Sequence, residues 1–135
     1  MRLSEYREDL ELQKNGAPIP VGEADFFVRR HGTPEYKKFE KKLSQELFGP
    51  FHKYAETDDD LLRAHMLIEY LVTGWRNVRN VDGTELTYSI ENARKVFLNP
   101  EYFLNINIIL DNASRIFSNY LYEQSDEDIE ALKKP

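Results

Sequence analysis

Apolar residues recur at helical spacing over four stretches of this chain. Tyr36, Phe39, Leu43 and Leu47 form one stripe, with Lys37, Lys38, Lys41 and Lys42 on the opposite side. Thr33-Pro34-Glu35 in front of it reads as cap, first helical residue and first-turn acid, and Gly49-Pro50 ends it. Leu61, Ala64, Ile68, Leu71 and Val72 predict a second helix. Thr57 with Asp60 resembles a capping box, and Asp58, Asp59 and Asp60 suit the positive end of the helix dipole. Ser89 opens a short helix from Ile90 to Leu98 that packs through Ala93, Val96 and Phe97. Asn99-Pro100-Glu101 stops it and caps the longest predicted helix, from Pro100 to about Tyr122. Phe103, Ile106, Leu110, Ala113, Phe117 and Tyr120 lie on one stripe of that helix, and Leu104, Ile108, Ile109, Ile116 and Leu121 lie alongside. This apolar surface is wider than a half-buried helix needs, so either the helix is central or a partner covers part of it.

The N-terminal pattern is different. Leu3, Tyr6 and Leu10 fit a helical stripe while Leu10 and Leu12 alternate, which we read as a frayed start leading into a short strand. Asn15-Gly16 reads as a hairpin turn, with Ala17 to Val21 returning and Ala24 to Arg30 as a further strand. Pro18 and Pro20 are two apart, so their missing N–H groups face one side and leave a normal ladder with one neighbour only. The sheet is therefore small, two strands or a distorted three. Between the second and third helices, Gly74 reads as a helix end, with Trp75 folding back onto Tyr70 or Leu71. Asp82-Gly83 then reads as a two-residue hairpin turn between Val81 and Leu86.

The resulting fold class is α+β and mostly α-helical, a small N-terminal β-hairpin packed on a bundle of about four helices. At 135 residues and 41% hydrophobic content the chain has the size of one domain, residues 1–124, with a β-hairpin region at 1–31 and a helical region at 33–124. Residues 125–135 read as an acidic tail. A net charge of -6 opposes binding to nucleic acid or to an anionic membrane. The absence of cysteine excludes disulfides, zinc-thiolate sites and thiol catalysis. Neither a signal peptide nor a membrane span is legible.

The catalytic signals are weak. His31, His52 and His65 lack metal-site spacing, Asp58-Asp59-Asp60 lacks the alternation and glycine of a calcium loop, and the six glycines form no phosphate-binding run. We expect no enzyme, cofactor or metal. The lysine face is a solvated helix surface by default, with Tyr36 and Phe39 in the core. Trp75, Arg76 and Arg79, of residue types that dominate binding hot spots, are the first candidates for protein binding. Phe103, Ile106, Leu110 and Phe117 on the last helix are the second.

The string from Ile68 to Asn92, with Gly74-Trp75, Asp82-Gly83 and Leu86-Thr-Tyr-Ser-Ile-Glu-Asn92, resembles the tail assembly chaperones of long-tailed bacteriophages. The resemblance extends more weakly over most of the chain, through the N-terminal hairpin, the Phe/Val strand and the Asn99-Pro-Glu helix start. It implies a non-enzymatic protein of the host cytoplasm that binds the tape-measure protein, recruits the major tail protein to a non-contractile tail, and is absent from the mature virion. It also implies a longer, frameshifted form in many members, and leaves self-association open. Two other readings stand beside it: a structural tail or head-to-tail joining protein retained in the virion, and a small host-directed regulatory protein.

Overall fold

The structure, a computed structural model, describes residues 1–49 and 56–122, with the backbone alone at 56 and 57. The predicted cap at Thr57, His52 and the tail at 125–135 lie outside what it describes. The fold is mostly helical α+β. A three-stranded antiparallel sheet, in the order β1-β2-β3, packs with five α-helices among the described residues.

The chain begins with a 3-10 turn, Leu3–Tyr6, and a short helix α1, Leu10–Asn15, where the pattern predicts a strand. The reason is local: the Asp9 carboxylate accepts from the backbone N–H groups of Glu11 and Leu12 at 3.0 and 3.2 Å, satisfying two orphan donors of a helix start. Asn15-Gly16 is accordingly the end of α1 and not a hairpin turn. Gly16 is buried at φ +104°, and a Cβ there would lie 2.8 Å from Thr73 Oγ1 and 2.9 Å from the Phe27 carbonyl carbon. Only glycine fits.

β1 is Ala17–Val21 and β2 is Ala24–Val28, turning at Gly22-Glu23, with Ala17 opposite Val28 and Ile19 opposite Phe26. The two prolines keep β1 at the edge, paired with β2 alone. α2, Pro34–Phe48, has the expected cap: Thr33 Oγ1 accepts from Tyr36 N at 3.2 Å.

α3, Glu56–Met66, continues through a π-helical turn, Leu67–Leu71, straight into β3, Val72–Arg76. Gly74 is thus a strand residue opposite Phe27, not a helix cap. Trp75 does not fold back on Tyr70 or Leu71. It sits opposite Phe26, packs edge-on against Phe26 and Tyr88 with ring centroids 5.8 and 5.1 Å away, and donates its indole N–H to Leu86 O at 2.7 Å. The sheet therefore draws its third strand from Val72–Arg76, which the sequence reads as a helix end and the start of a connection. At Asp82-Gly83 the loop closes with three residues, since Asn80 N donates to Thr84 O at 2.7 Å and only Gly83 takes positive φ.

α4, Ile90–Phe97, is capped by Ser89, whose Oγ accepts from Asn92 N at 3.0 Å. The predicted long last helix is broken into pieces. Asn99 opens a 3-10 turn, Pro100–Tyr102, followed by a π-helical turn, Phe103–Asn107, and by α5, Ile108–Arg115. Ile116 is extended, and Phe117–Tyr120 is a separate 3-10 turn. The helix stops because its end is claimed by β2 and the loop after it. Ser114 O accepts from His31 N at 3.0 Å, and the buried Tyr120 hydroxyl donates to Val28 O at 2.8 Å. Beyond, Asp9 N donates to Tyr120 O at 2.7 Å and Tyr122 N to Arg7 O at 2.6 Å, tying the N-terminal segment to residues 120–122.

One core joins both parts of the fold. Phe26 and Val28 of the sheet, Tyr36 and Leu43 of α2, Leu67 and Leu71, Phe97 and Leu110 are all buried in it.

Candidate functional site

The chain carries no charged residue from Tyr102 to Leu110, although 31% of its residues are charged. The π-helical turn lies inside this run, and its extra residue shifts the stripe that a regular helix would have kept. Asn107 turns inward, fully buried, and its amide donates to Phe97 O at 2.8 Å. Leu104 turns outward and is 79% exposed. Ile109 on α5 and Ile116, the extended residue just after it, are also exposed, with Ile108 half-buried and Asn105, Asn112 and the exposed Arg115 among the polar residues of the same segment. Phe117, 51% exposed, extends the face, and Tyr6 stacks on it at 6.2 Å between centroids. The result is a strip of exposed apolar side chains on the π turn, on α5 and just beyond its end, free of charge from 102 to 110 and flanked by the exposed Glu101 and Arg115.

Of the residues marked from sequence on this helix, Phe117 is on the strip. Phe103 and Ile106 are half-buried, and Leu110 is fully buried in the core. Trp75 is likewise a core side chain, 8% exposed. Arg76 is exposed and paired with Asp25 at 2.8 Å, its guanidinium over the Phe27 ring. Arg79 is exposed and donates to Gly83 O at 3.1 Å within its own hairpin. These three residues therefore do not make one exposed cluster around the tryptophan. The sequence pattern places Leu104, Ile109 and Ile116 on a second stripe without marking them as binding residues, and Tyr6 has no signal beyond its helical spacing.

Next to α5 lies a polar cleft of about 280 Å³ lined by Tyr36, Glu40, Asp59, Arg63, Asp111 and Arg115 among others. Asp111, 7% exposed, is approached by Arg63 Nε at 3.5 Å and Arg115 Nη2 at 3.3 Å, while Arg63 also reaches Asp60 at 2.9 Å. Tyr36 donates to Glu40 at 2.9 Å, and burial together with that bond pushes its hydroxyl pKa far up. His31 packs on the Tyr36 ring at 4.1 Å between centroids. Burial, helped by Arg115, lowers its pKa below the usual histidine value. Both arginines of the cleft are neutralised by carboxylates, so its evident work is to tie α3 to α5. Among the described residues no group of three or more His, Cys, Asp or Glu could hold a metal ion. Asp60, considered from sequence as a cation ligand, is an arginine partner.

Lys37, Lys38, Lys41 and Lys42 are exposed on α2, and Lys42 lies 3.9 Å from Glu46. The aromatics beside them belong to the interior: Tyr36 is buried and Phe39 stacks on Tyr70 at 5.3 Å. No helix among the described residues is long and apolar enough to cross a membrane.

Residues 31–130 match the family described as YdaY prophage protein. The chain belongs to that family. The matched span starts just after β2 and takes in α2, β3, α5 and nearly all of the apolar strip, leaving only Tyr6 outside. YdaY membership makes this a prophage protein, in agreement with the bacteriophage origin that the sequence resemblance implies. Comparison with curated proteins and with solved structures finds no match to this YdaY-family chain.

Proposed function

We propose that this YdaY-family protein is a non-enzymatic binding protein of tail morphogenesis, a tail assembly chaperone that acts in the host cytoplasm. It covers the tape-measure protein and recruits tail-tube subunits. The observation that supports this reading is the exposure of Leu104 and Ile109 on a helical segment whose other face is core, with Ile116 and Phe117 exposed just beyond its end, all large apolar side chains left in water. Such a strip matches the apolar stripe of an amphipathic helix laid along it. A long tape-measure chain carries many such stripes, and covering them keeps it soluble.

The test is co-expression with the tape-measure protein encoded by the same prophage, scoring solubility and co-purification. Wild type is expected to keep the tape measure in solution and to co-purify with it. A Leu104→Glu, Ile109→Asp variant, changed only at exposed positions, is expected to lose it while remaining folded by circular dichroism. A tape measure that stays insoluble beside folded wild type overturns the chaperone role. Stoichiometric retention in purified particles, read by mass spectrometry, would instead make the protein a structural component of the virion.

A further inference from the structure

We infer that the cleft between α1 and the start of α2 binds a short zwitterionic peptide, its carboxylate toward Lys14, its ammonium toward Glu35 and an apolar side chain against Leu10 and Tyr70. The cleft has a volume of about 450 Å³ and is lined by those four residues together with Gln13 and Thr33. Sites for small ligands span roughly 300–1,000 Å³. It shares no residue with the strip along α5, and the inference does not rest on the function proposed above.

The walls are held by tertiary bonds. Arg29 Nε donates to Lys14 O at 2.8 Å and Arg29 Nη1 to Tyr70 O at 3.2 Å, so one guanidinium ties α1 to the π turn after α3. Arg30 N donates to Gln13 O at 3.1 Å. Phe39, stacked at 5.3 Å, and the Arg29 guanidinium, 4.9 Å from the ring centroid, fix the Tyr70 ring. The cleft is thus formed before a ligand enters, which limits the ordering cost of binding.

The polar groups of its lining are unengaged. Among the described residues, Lys14 and Glu35 take part in no ion pair, with each other or elsewhere, and the Gln13 amide and Tyr70 hydroxyl make no hydrogen bond. Thr33 Oγ1 accepts from Tyr36 N, which leaves its own proton to donate. Opposite charges on one cleft select against simpler ligands. A bare anion meets the Glu35 carboxylate, a bare cation meets the Lys14 ammonium, and a hydrocarbon covers both charges without pairing them. A ligand charged at both ends pairs both. The amide and the two hydroxyls in the same cleft supply donors and acceptors for peptide groups. Leu10, 70% exposed, and the half-buried Tyr70 give an apolar side chain its contact. The cleft beside α5 differs on this point, because its arginines already hold Asp111 and Asp60.

The test is a titration of the isotope-labelled full chain with the tripeptide Ala-Phe-Ala into the millimolar range, following backbone amide resonances. Saturable shifts are expected at Gln13, Lys14, Thr33, Glu35 and Tyr70. Amidating the peptide's C-terminus is expected to weaken binding to wild type about two- to fivefold, as for a solvent-accessible charge pair, and acetylating its N-terminus to do the same. Lys14→Gln should be indifferent to amidation but not to acetylation, and Glu35→Gln the reverse. Both positions are exposed, and Lys14→Gln keeps the backbone carbonyl that holds Arg29. Absence of saturable shifts in folded wild type overturns the inference, as do shifts centred on the strip along α5. Modified peptides that bind as well as the free one, or lose equally in both variants, overturn the assignment of the two charges. None of these results bears on whether the chain keeps the tape measure in solution.

Discussion

The hydroxyl of Tyr120 donates to the carbonyl of Val28 at 2.8 Å, and also reaches the Arg29 carbonyl at 3.1 Å. A side chain near the end of the described chain thus closes the end of the central strand, with Arg30 over its ring. Tyr120→Phe keeps the ring and leaves both carbonyls without this donor. We expect a loss of about 1–2 kcal/mol, read as a lower urea midpoint at unchanged m-value.

Trp75 separates a structural role from a binding one. Its indole fills the core against Phe26, Tyr88 and Phe97 and its N–H holds Leu86 O. Trp75→Ala is expected to cost about 3–5 kcal/mol, and Trp75→Phe about 1–3 kcal/mol. Any loss of partner binding in Trp75→Ala should track its loss of folded protein in a thermal melt. Partner binding that vanishes in a fully folded Trp75→Phe variant would return Trp75 to the interface.

Gly16 lies where α1, β2 and β3 converge. Thr73 Oγ1 donates to Asn15 O at 2.8 Å, directly beside the glycine. Gly16→Ala must accept a left-handed backbone and push Thr73 or the β2 backbone aside, so we expect about 2 kcal/mol or more of destabilisation. Gly22→Ala, at a turn with open space around the glycine, carries only the backbone part of that penalty and serves as the control in the same denaturation series.

Asp111 holds two arginines. Asp111→Ala strands Arg115 and leaves Arg63 with Asp60 alone. Because both arginines keep access to solvent, the cost is expected at about 1–2 kcal/mol, below that of a fully buried pair. Asp111→Ala combined with Arg115→Ala should recover part of the loss in a double-mutant cycle.

Stability should fall at both ends of the pH scale. Burial raises the hydroxyl pKa of Tyr36, Tyr88 and Tyr120 above 10.0, so the native state keeps protons that the unfolded chain releases. Their contribution is complete below pH 10 and is lost as pH rises above it, by about 1.4 kcal/mol per pH unit for each of the two buried rings, Tyr36 and Tyr120, and by less for the more exposed Tyr88. Tyr120→Phe should make that alkaline limb less steep. His31 has the opposite sign of shift: its lowered pKa means the native state binds less proton than the unfolded chain. Its contribution is present above pH 6.5 and is lost as pH falls from there through the folded value. His31→Gln should remove that part of the acid limb in melts taken from pH 8 to 5.

The helix starts at Thr33, Ser89 and Asn99 were legible because a cap is a local contract, made between a side chain and N–H groups two or three residues away. The edge position of β1 was equally legible, since proline removes its donor whatever surrounds it. By itself, then, the sequence determined the class of fold, these boundaries, the uncharged run before Asp111 and the apolar surplus of the last helical region. Tertiary structure decided the rest. Val72–Arg76 follows a helix directly, and Gly74 within it reads locally as a helix end. It becomes a strand because β2 offers a ladder and Phe26 offers a face for Trp75, neither of which is written nearby. The last helix stops at Arg115 because Val28, Arg29 and His31 take up Tyr120 and Ser114. Asn107 enters the core, and Leu104 leaves it, through a π-helical turn that periodicity cannot register. Which apolar residues remained outside, and hence where the candidate binding face lies, depended on those long-range contacts and not on local propensity.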